Sequence, residues 1–372
     1  MKRQLVGAAV ALITSTALAA CASTTKSSDS AGGSSAGPVQ VAGSDEVDAS
    51  TICGIKPTTV ALADGFGGDT WRKTVLAELK DEAAKCKNVT EVRYANANGD
   101  QQKAISDING FAAQGVDVIV VFPDFGAAMI PAMRSAMKSG ATVIDYFVDL
   151  GGVAGQDYTN QVVQDSVGVG RNWADWYGTH LKNGNVTMLG GPPGAKSSQA
   201  FWTGFTEQLK KYPGIQLVTN DYVATSWSAV EAQKAVAGLI AKNPKIDGIA
   251  SDYGVTASAA VKAFQAAGRP VPAIANIASN NEIDCAWNDL NAKGSGFPFY
   301  SAEKTTTLVR NAFRRGMADF QGIELKEPAR VAIPVGIDTY DGKNPPCDKS
   351  APPDADLFSG LTKAQLQEVF AQ

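Results

Sequence analysis

Residues 58–85 read TTVALADGFGGDTWRKTVLAELKDEAAK. Thr59 to Ala63 is a short β-rich apolar run, Asp64 to Asp69 is a turn of glycine and aspartate, and Trp71 to Lys85 reads as an amphipathic helix. The same rhythm continues outward. Strands are predicted at Val89 to Ala95, Val116 to Phe122 and Ala141 to Phe147, with helices at Gln101 to Gln114 and Ala127 to Ser139. Strands alternating with helices imply a parallel sheet covered by helices. The pattern then restarts: helix Asp165 to Leu181, strand Asn185 to Leu189, helix Ser198 to Lys211 and strand Ile215 to Val223. Helix Ala229 to Lys242, strand Gly248 to Ser251, helix Ala257 to Ala267 and strand Ala273 to Ile277 follow. The fold class is therefore α/β, with two doubly wound parallel-sheet lobes. Phe297 to Ser301 and Arg330 to Ile337 are β-rich pieces after the second unit, so the chain is expected to cross between lobes more than once, as a hinge would require. The expected partition is 51–158 plus 301–330 for the N-terminal lobe and 159–300 plus 331–372 for the C-terminal lobe.

Ahead of the lobes, Lys2 and Arg3 precede an uncharged, mostly apolar run from Leu5 to Leu18, too short to span a bilayer stably. This reads as a signal peptide. It ends in Leu18-Ala19-Ala20-Cys21, which resembles the bacterial lipobox, so residues 1–21 are expected to export the chain and to lipidate Cys21. Residues 22–50, rich in Ser, Thr, Gly and Ala, read as an unfolded tether. The expected location is extracytoplasmic, held at the cell membrane by lipid.

A net charge of −4 without a basic run gives no footprint for nucleic acid. Apart from Cys21, the cysteines are Cys53, Cys86, Cys285 and Cys347, an even number in a compartment where disulfides persist. Three pairings are possible. A right-handed β-α-β unit returns the point before the first strand and the end of the following helix to one sheet edge, which favours Cys53 with Cys86 and leaves Cys285 with Cys347. Without close C-x-x-C spacing, and with His180 the single histidine, no zinc cluster can be assembled; neither metal nor cofactor is expected.

Sheets of this class bind ligands outside the carboxyl ends of their strands. There, Trp71, Trp227, Phe66 and Phe147 supply flat apolar rings, and Asp69, Arg72, Asp124, Asp145, Gln199, Asp252 and Asn276 supply polar groups. Rings for C–H faces together with fixed hydrogen-bonding groups suit a sugar or polyol. Asp69 reads equally as a helix cap. The loop Gly190-Gly191-Pro192-Pro193-Gly194-Ala195-Lys196-Ser197 mimics a P-loop, but Ala195 replaces a required glycine and both prolines lack the N–H groups that grip phosphate, so it is expected only to border the cleft.

The order and spacing of Thr59-Val60-Ala61-Leu62, Trp71-Arg72, Ala112-Ala113-Gln114-Gly115-Val116-Asp117 and Asn243-Pro244-Lys245-Ile246-Asp247 resemble the type I periplasmic binding proteins of the ribose-binding and galactofuranose-binding kind. The resemblance runs over roughly residues 58–340. It implies two lobes joined by hinge strands, a sugar held between aromatic rings, and delivery to an ABC permease by a monomeric binding protein that is not an enzyme. Carried over residue by residue, it puts Trp71 and Arg72 in the first ligand loop and Trp227 on the opposing lobe. Gln199, Asp252 or Tyr253, and Asn276 fall at the second lobe's polar contacts, and Asp124 follows the third strand. Ribose binders carry an Asp-Arg pair at the end of the fourth strand; here Phe147 and Val148 stand there, flanked by Asp145 and Asp149. Alanine at Trp71 or at Trp227 is expected to weaken binding without unfolding. Competing readings are a sugar sensor on the same fold and a carbohydrate-active hydrolase, the latter without a serine elbow to accompany His180.

Overall fold

The computed structural model describes residues 40–43 and 46–371; the expected signal peptide, the lipidation site Cys21 and most of the tether lie outside the described residues. Strands run in chain order as β1 (Gln40–Val41), β2 (Thr58–Asp64), β3 (Val89–Asn96), β4 (Val118–Val121), β5 (Thr142–Phe147), β6 (Asn160–Gln164), β7 (Gly184–Gly190), β8 (Ile215–Leu217), β9 (Val223–Ala224), β10 (Gly248–Ser251), β11 (Ala273–Ile277), β12 (Phe299–Ala302), β13 (Arg330–Ala332) and β14 (Val335–Asp338). Helices are α1 (Thr70–Ala83), α2 (Gln101–Ala113), α3 (Ile130–Lys138), α4 (Ser166–His180), α5 (Lys196–Leu209), α6 (Ala229–Lys242), α7 (Gly254–Ala266), α8 (Asn281–Asn291), α9 (Leu308–Gln321) and α10 (Lys363–Phe370).

The first sheet has the order β1-β13-β6-β5-β4-β2-β3, and the second has β14-β12-β11-β10-β7-β8 with β9 also paired to β7. The ladders are parallel except β12 with β14. The central strands of both sheets are buried on two faces, which is why β4 reads VIVV with every residue enclosed. The chain crosses between lobes after β6, after β12 and between β13 and β14, and once more beyond β14, where α10, expected in the C-terminal lobe, returns to pack on α1.

These crossings correct the expected boundaries. β6 belongs to the first sheet, so the first crossing follows Gln164 rather than residue 158, and β12 belongs to the second sheet, so the next follows Ala302 rather than residue 300. The polar ends of β6 (NQVVQ) hide a strand whose middle is buried. The expected strand Ile215 to Val223 is two short strands. The tether is also shorter than expected: β1 pairs with β13, Ala42 and Ala49 are buried, and the Val47 amide donates to Glu327 at 2.9 Å. Alanines fill core gaps without the bulk that marks a core residue in sequence.

On the first sheet, α9 packs against β4, β5 and β6 and meets α1 along a buried ion network. Arg310 bonds Glu78 and Glu82, and Arg314 bonds Glu82 at 2.7 Å and Glu327 at 2.8 Å with about one per cent of its side chain exposed. Cys53 is bonded to Cys86 and Cys285 to Cys347, with Cα atoms 5.2 and 4.8 Å apart.

In the second lobe α4 and α5 cross with their backbones touching. A Cβ on Gly170 would stand 2.1 Å from the Phe201 carbonyl, and one on Gly204 would stand 2.0 Å from that of Val167. Gly238, exposed within α6, has nothing within 4 Å of a Cβ. Gly204→Val is therefore expected to destabilise by about 1–3 kcal/mol through overpacking. Gly238→Ala is expected to stabilise by about 0.5–1 kcal/mol by removing backbone freedom from the unfolded chain. Urea unfolding of the two variants checks both signs.

Candidate functional site

The carboxyl ends of both sheets meet a cleft of about 760 Å³ lined from both lobes. On the first lobe, β2 ends at Asp64 and the chain turns through Gly65 to Gly68 into α1. The Gly65 amide donates to Asp124 Oδ2 at 3.0 Å, and a Cβ there would come within 2.5 Å of the same oxygen, so only glycine permits the approach. Asp69 caps α1 by accepting from the Arg72 amide at 2.7 Å. The Arg72 guanidinium then reaches back to Asp64 Oδ1 at 2.7 Å and Asp124 Oδ1 at 2.8 Å, 3.7 Å over the ring of Phe122. Burial works against the charge on Arg72, but Asp124 and Asp64 outweigh it and hold the pKa well above its ordinary value. Burial pushes Asp124 up to about 6, with Arg72 opposing, and also raises Asp69.

Trp71 is 7% exposed, and its Nε1 donates to Thr305 Oγ1 at 2.9 Å. It stands edge-on to Phe147 at 5.2 Å, and Phe147 stacks on Phe122 at 5.0 Å. Phe66 stacks on Phe125 at 5.5 Å.

On the second lobe, Asp252 follows β10 and accepts from Trp227 Nε1 at 3.1 Å and from Ser198 Oγ. Ser198 Oγ in turn accepts from the Gly191 amide at 2.9 Å. The Trp227 ring covers Gly191, where a Cβ would come within 2.3 Å of the indole. Burial pushes Asp252 up to about 7 despite the hydrogen bonds from Ser198 and Trp227. Tyr253 reaches across the cleft to donate to Asp69 Oδ2 at 3.3 Å. Phe147, Ser226, Trp227 and Ala278, all lining residues, have φ of 76°, 51°, 53° and 53°. Such left-handed conformations cost about 1–3 kcal/mol each and cluster where the surrounding structure must aim a side chain.

Of the residues singled out from sequence, Phe66, Asp69, Trp71, Arg72, Asp124, Phe147, Trp227, Asp252 and Tyr253 line this one opening. Asp69 is both cap and lining group. Three others are corrected. Asp145 is fully buried within β5, both oxygens lack a protein partner, and burial raises its pKa well above the carboxylate range. Asn276 is fully buried within β11, and the lining passes to Ile277 and Ala278. Gln199 is exposed to solvent on α5. In each case the element was found but the phase that decides which side chain faces the cleft was not.

Phe122, Gln164, Phe201 and Thr305 line the cleft without having been singled out, and Pro192 to Ser197 line it as the loop expected at its border. Phe122 ended a predicted strand and could have been found; Gln164 lay in the unseen β6, and Thr305 lies on a crossing segment with no periodic signal. Among the described residues, no group of His, Cys, Asp or Glu side chains could hold a metal ion.

Residues 60–288 match the periplasmic binding protein domain family, more than half of the chain. A xylitol-binding protein of Mycolicibacterium smegmatis is 28% identical over 222 residues, covering 59% of this chain and 60% of that protein. The D-xylose-binding periplasmic protein of Escherichia coli is 28% identical over 181 residues, 48% of this chain and 54% of that protein. The chain thus spans little more than half the length of these relatives. Among solved structures, a solute-binding protein from Burkholderia graminis in complex with D-arabinose superposes with a TM-score of 0.67 at 19% identity, over 79% of this chain and 99% of the other. One from Actinobacillus succinogenes with bound D-allose gives 0.62 at 21%, over 75% and 96%. Topology, cleft and sequence agree, and the chain belongs to the periplasmic binding protein family.

Proposed function

We propose that this protein captures one small sugar or polyol in the interlobe cleft and delivers it to an ABC permease, working as a monomer outside the cytoplasm and held to the membrane by lipid on Cys21. The reading rests above all on one observation: the indoles of Trp71 and Trp227 line the same opening from opposite lobes, each beside a desolvated carboxylate system. Rings cover the C–H faces of a pyranose or an extended polyol, and charged acceptors make shorter and stronger hydrogen bonds to hydroxyls than neutral groups do. The names of the two relatives point to the same ligand class. The lipid anchor is supported by the lipobox at Leu18 to Cys21.

Purified protein is expected to melt higher with xylitol, D-xylose or a related sugar, since a ligand at a hundred times its Kd stabilises by about 2.7 kcal/mol. Failure of every pentose, hexose and polyol in a thermal-shift screen would count against the assignment. Trp227→Ala is expected to weaken binding by about 1–3 kcal/mol in calorimetry while leaving the melting temperature nearly unchanged. Trp71→Ala differs from the sequence expectation: Trp71 is 7% exposed and packed edge-on against Phe147 and Phe122, so its alanine variant should lose stability as well as affinity.

Asp252 makes the fold respond to pH. Its folded-state pKa, about 7, lies above the ordinary carboxylate value, so the folded chain binds this proton more tightly than the unfolded chain. The stability it contributes is complete below about pH 4 and is lost as pH rises through the folded value. Asp252→Asn should flatten the fall in melting temperature over that window; an unchanged slope would refute the assignment.

A further inference from the structure

The chain continues beyond β14 into a segment that touches both lobes. Its first part is fastened to the second lobe. Cys347 is bonded to Cys285 of α8, and the Asn281 side-chain amide donates to the carbonyls of Asp348 at 2.8 Å, Ala351 at 3.1 Å and Pro352 at 3.2 Å. The Asn281 backbone amide donates to the Ala355 carbonyl at 2.9 Å. Its last part is fastened to the first lobe: Gly360 donates its amide to Glu78, and Gln365 donates to Asp81 at 2.6 Å, both acceptors on α1, against which α10 packs.

Asp354 stands between these attachments. Its Oδ2 accepts from the Thr70 amide at 3.1 Å and the Thr70 hydroxyl at 2.7 Å. Thr70 opens α1, between the cap Asp69, which Tyr253 grips from the second lobe, and Trp71 of the cleft. The first amides of a helix have no partner within it and carry partial positive charge, so a carboxylate placed there both satisfies a donor and meets a favourable field. Asp69 serves the Arg72 amide and Asp354 serves that of Thr70, but only Asp69 is local to the loop.

We propose that Asp354 is a positioning residue for the ligand loop 64–72: the C-terminal segment is a strap that carries this carboxylate, in the frame of the second lobe, onto Thr70. The strap thereby sets where Trp71 and Arg72 stand when the lobes meet. Four residues, 356–359, separate Ala355, held by Asn281, from Gly360, held by Glu78. A chain reaches at most about 3.5 Å per residue, so wide separation of the lobes requires one end of the strap to let go. Loop geometry and lobe closure are coupled through this carboxylate, beside the Tyr253–Asp69 hydrogen bond. The proposal rests on the cleft being the ligand site.

The test uses the full chain with Asp354→Ala and Asp354→Asn, following amide hydrogen exchange of residues 66–73 without ligand and calorimetric Kd for xylitol and D-xylose. Asp354→Ala is expected to speed exchange in that loop and raise Kd by about tenfold each, as for loss of one charge-assisted hydrogen bond. Asp354→Asn, which keeps an acceptor oxygen, should recover part of both. Unchanged exchange in the loop overturns the proposal. So does faster exchange throughout the first lobe with a lower melting temperature, because that marks a general structural role. If the unmodified protein binds neither probe, the reading of the cleft fails for these ligands, and the exchange result alone decides the strap. Cys285→Ser with Cys347→Ser should reproduce the loop effect where it folds; a folded double variant with an unaltered loop also overturns the proposal.

Discussion

Arg72 resolves a repulsion that would otherwise hold the first lobe's loops apart. Asp64 ends β2 and Asp124 follows β4, adjacent parallel strands, so their carboxylates converge at the same desolvated point. Two such charges cannot sit together without a cation between them. The guanidinium supplies one whose planar fork can bond both at once, and the face of Phe122 takes its other side. Lysine could neutralise one carboxylate but could not span the pair. Because Arg72 lies in the first turn of α1, this knot also fixes the helix start and, one residue earlier, Trp71. Cleft geometry on this lobe therefore descends from an electrostatic demand at two strand ends.

The second lobe meets the same need without a cation. Asp252 is left protonated at acidic pH by its burial, and Ser198, Trp227 and the Gly191 amide form a chain of hydrogen bonds around it. Trp227 and Ser226 hold left-handed backbone conformations that a non-glycine residue resists, and the indole lies flat only because Gly191 offers no Cβ. Strain and a missing methyl group are thus both spent on aiming one ring. Behind these rims most of the central strand residues are buried and apolar, with Asp145 and Asn276 among the exceptions, and each lobe packs its own core, the two being joined by the strand crossings and the C-terminal segment.

The parts of this architecture visible in sequence were those with strong local signals. Apolar runs such as Val60 to Ala63 and Val118 to Val121 announce buried parallel strands, and the glycine loop before Trp71-Arg72 announces the first half of the site. What stayed hidden depends on distant partners. α9 (LVRNAFRRGMADFQ) reads as polar, yet Arg310 and Arg314 are buried because glutamates from α1 and the loop before β13 neutralise them. Asn276 and Asp145 lie in correctly placed strands but point into protein, since pleat phase at a strand end depends on where pairing stops. Thr305 supports Trp71 across 234 residues of chain, a relation no local pattern records.

The pairing of Arg72 supports the proposal of an uncharged ligand. Three of the five guanidinium donors of Arg72 are taken by Asp64 and Asp124, so a ligand carboxylate would have to displace a protein carboxylate already held at 2.8 Å. An ammonium ligand would meet the Arg72 charge beside Asp124. A hydroxyl needs neither displacement: it can donate to a lone pair left on Asp69, Asp124 or Asp252 and accept from a remaining Arg72 donor. Hydroxyl-rich molecules match a rim where Arg72 and Asp124 are already paired with each other, and the rings of Trp71, Phe147 and Trp227 offer apolar faces for the proposed sugar.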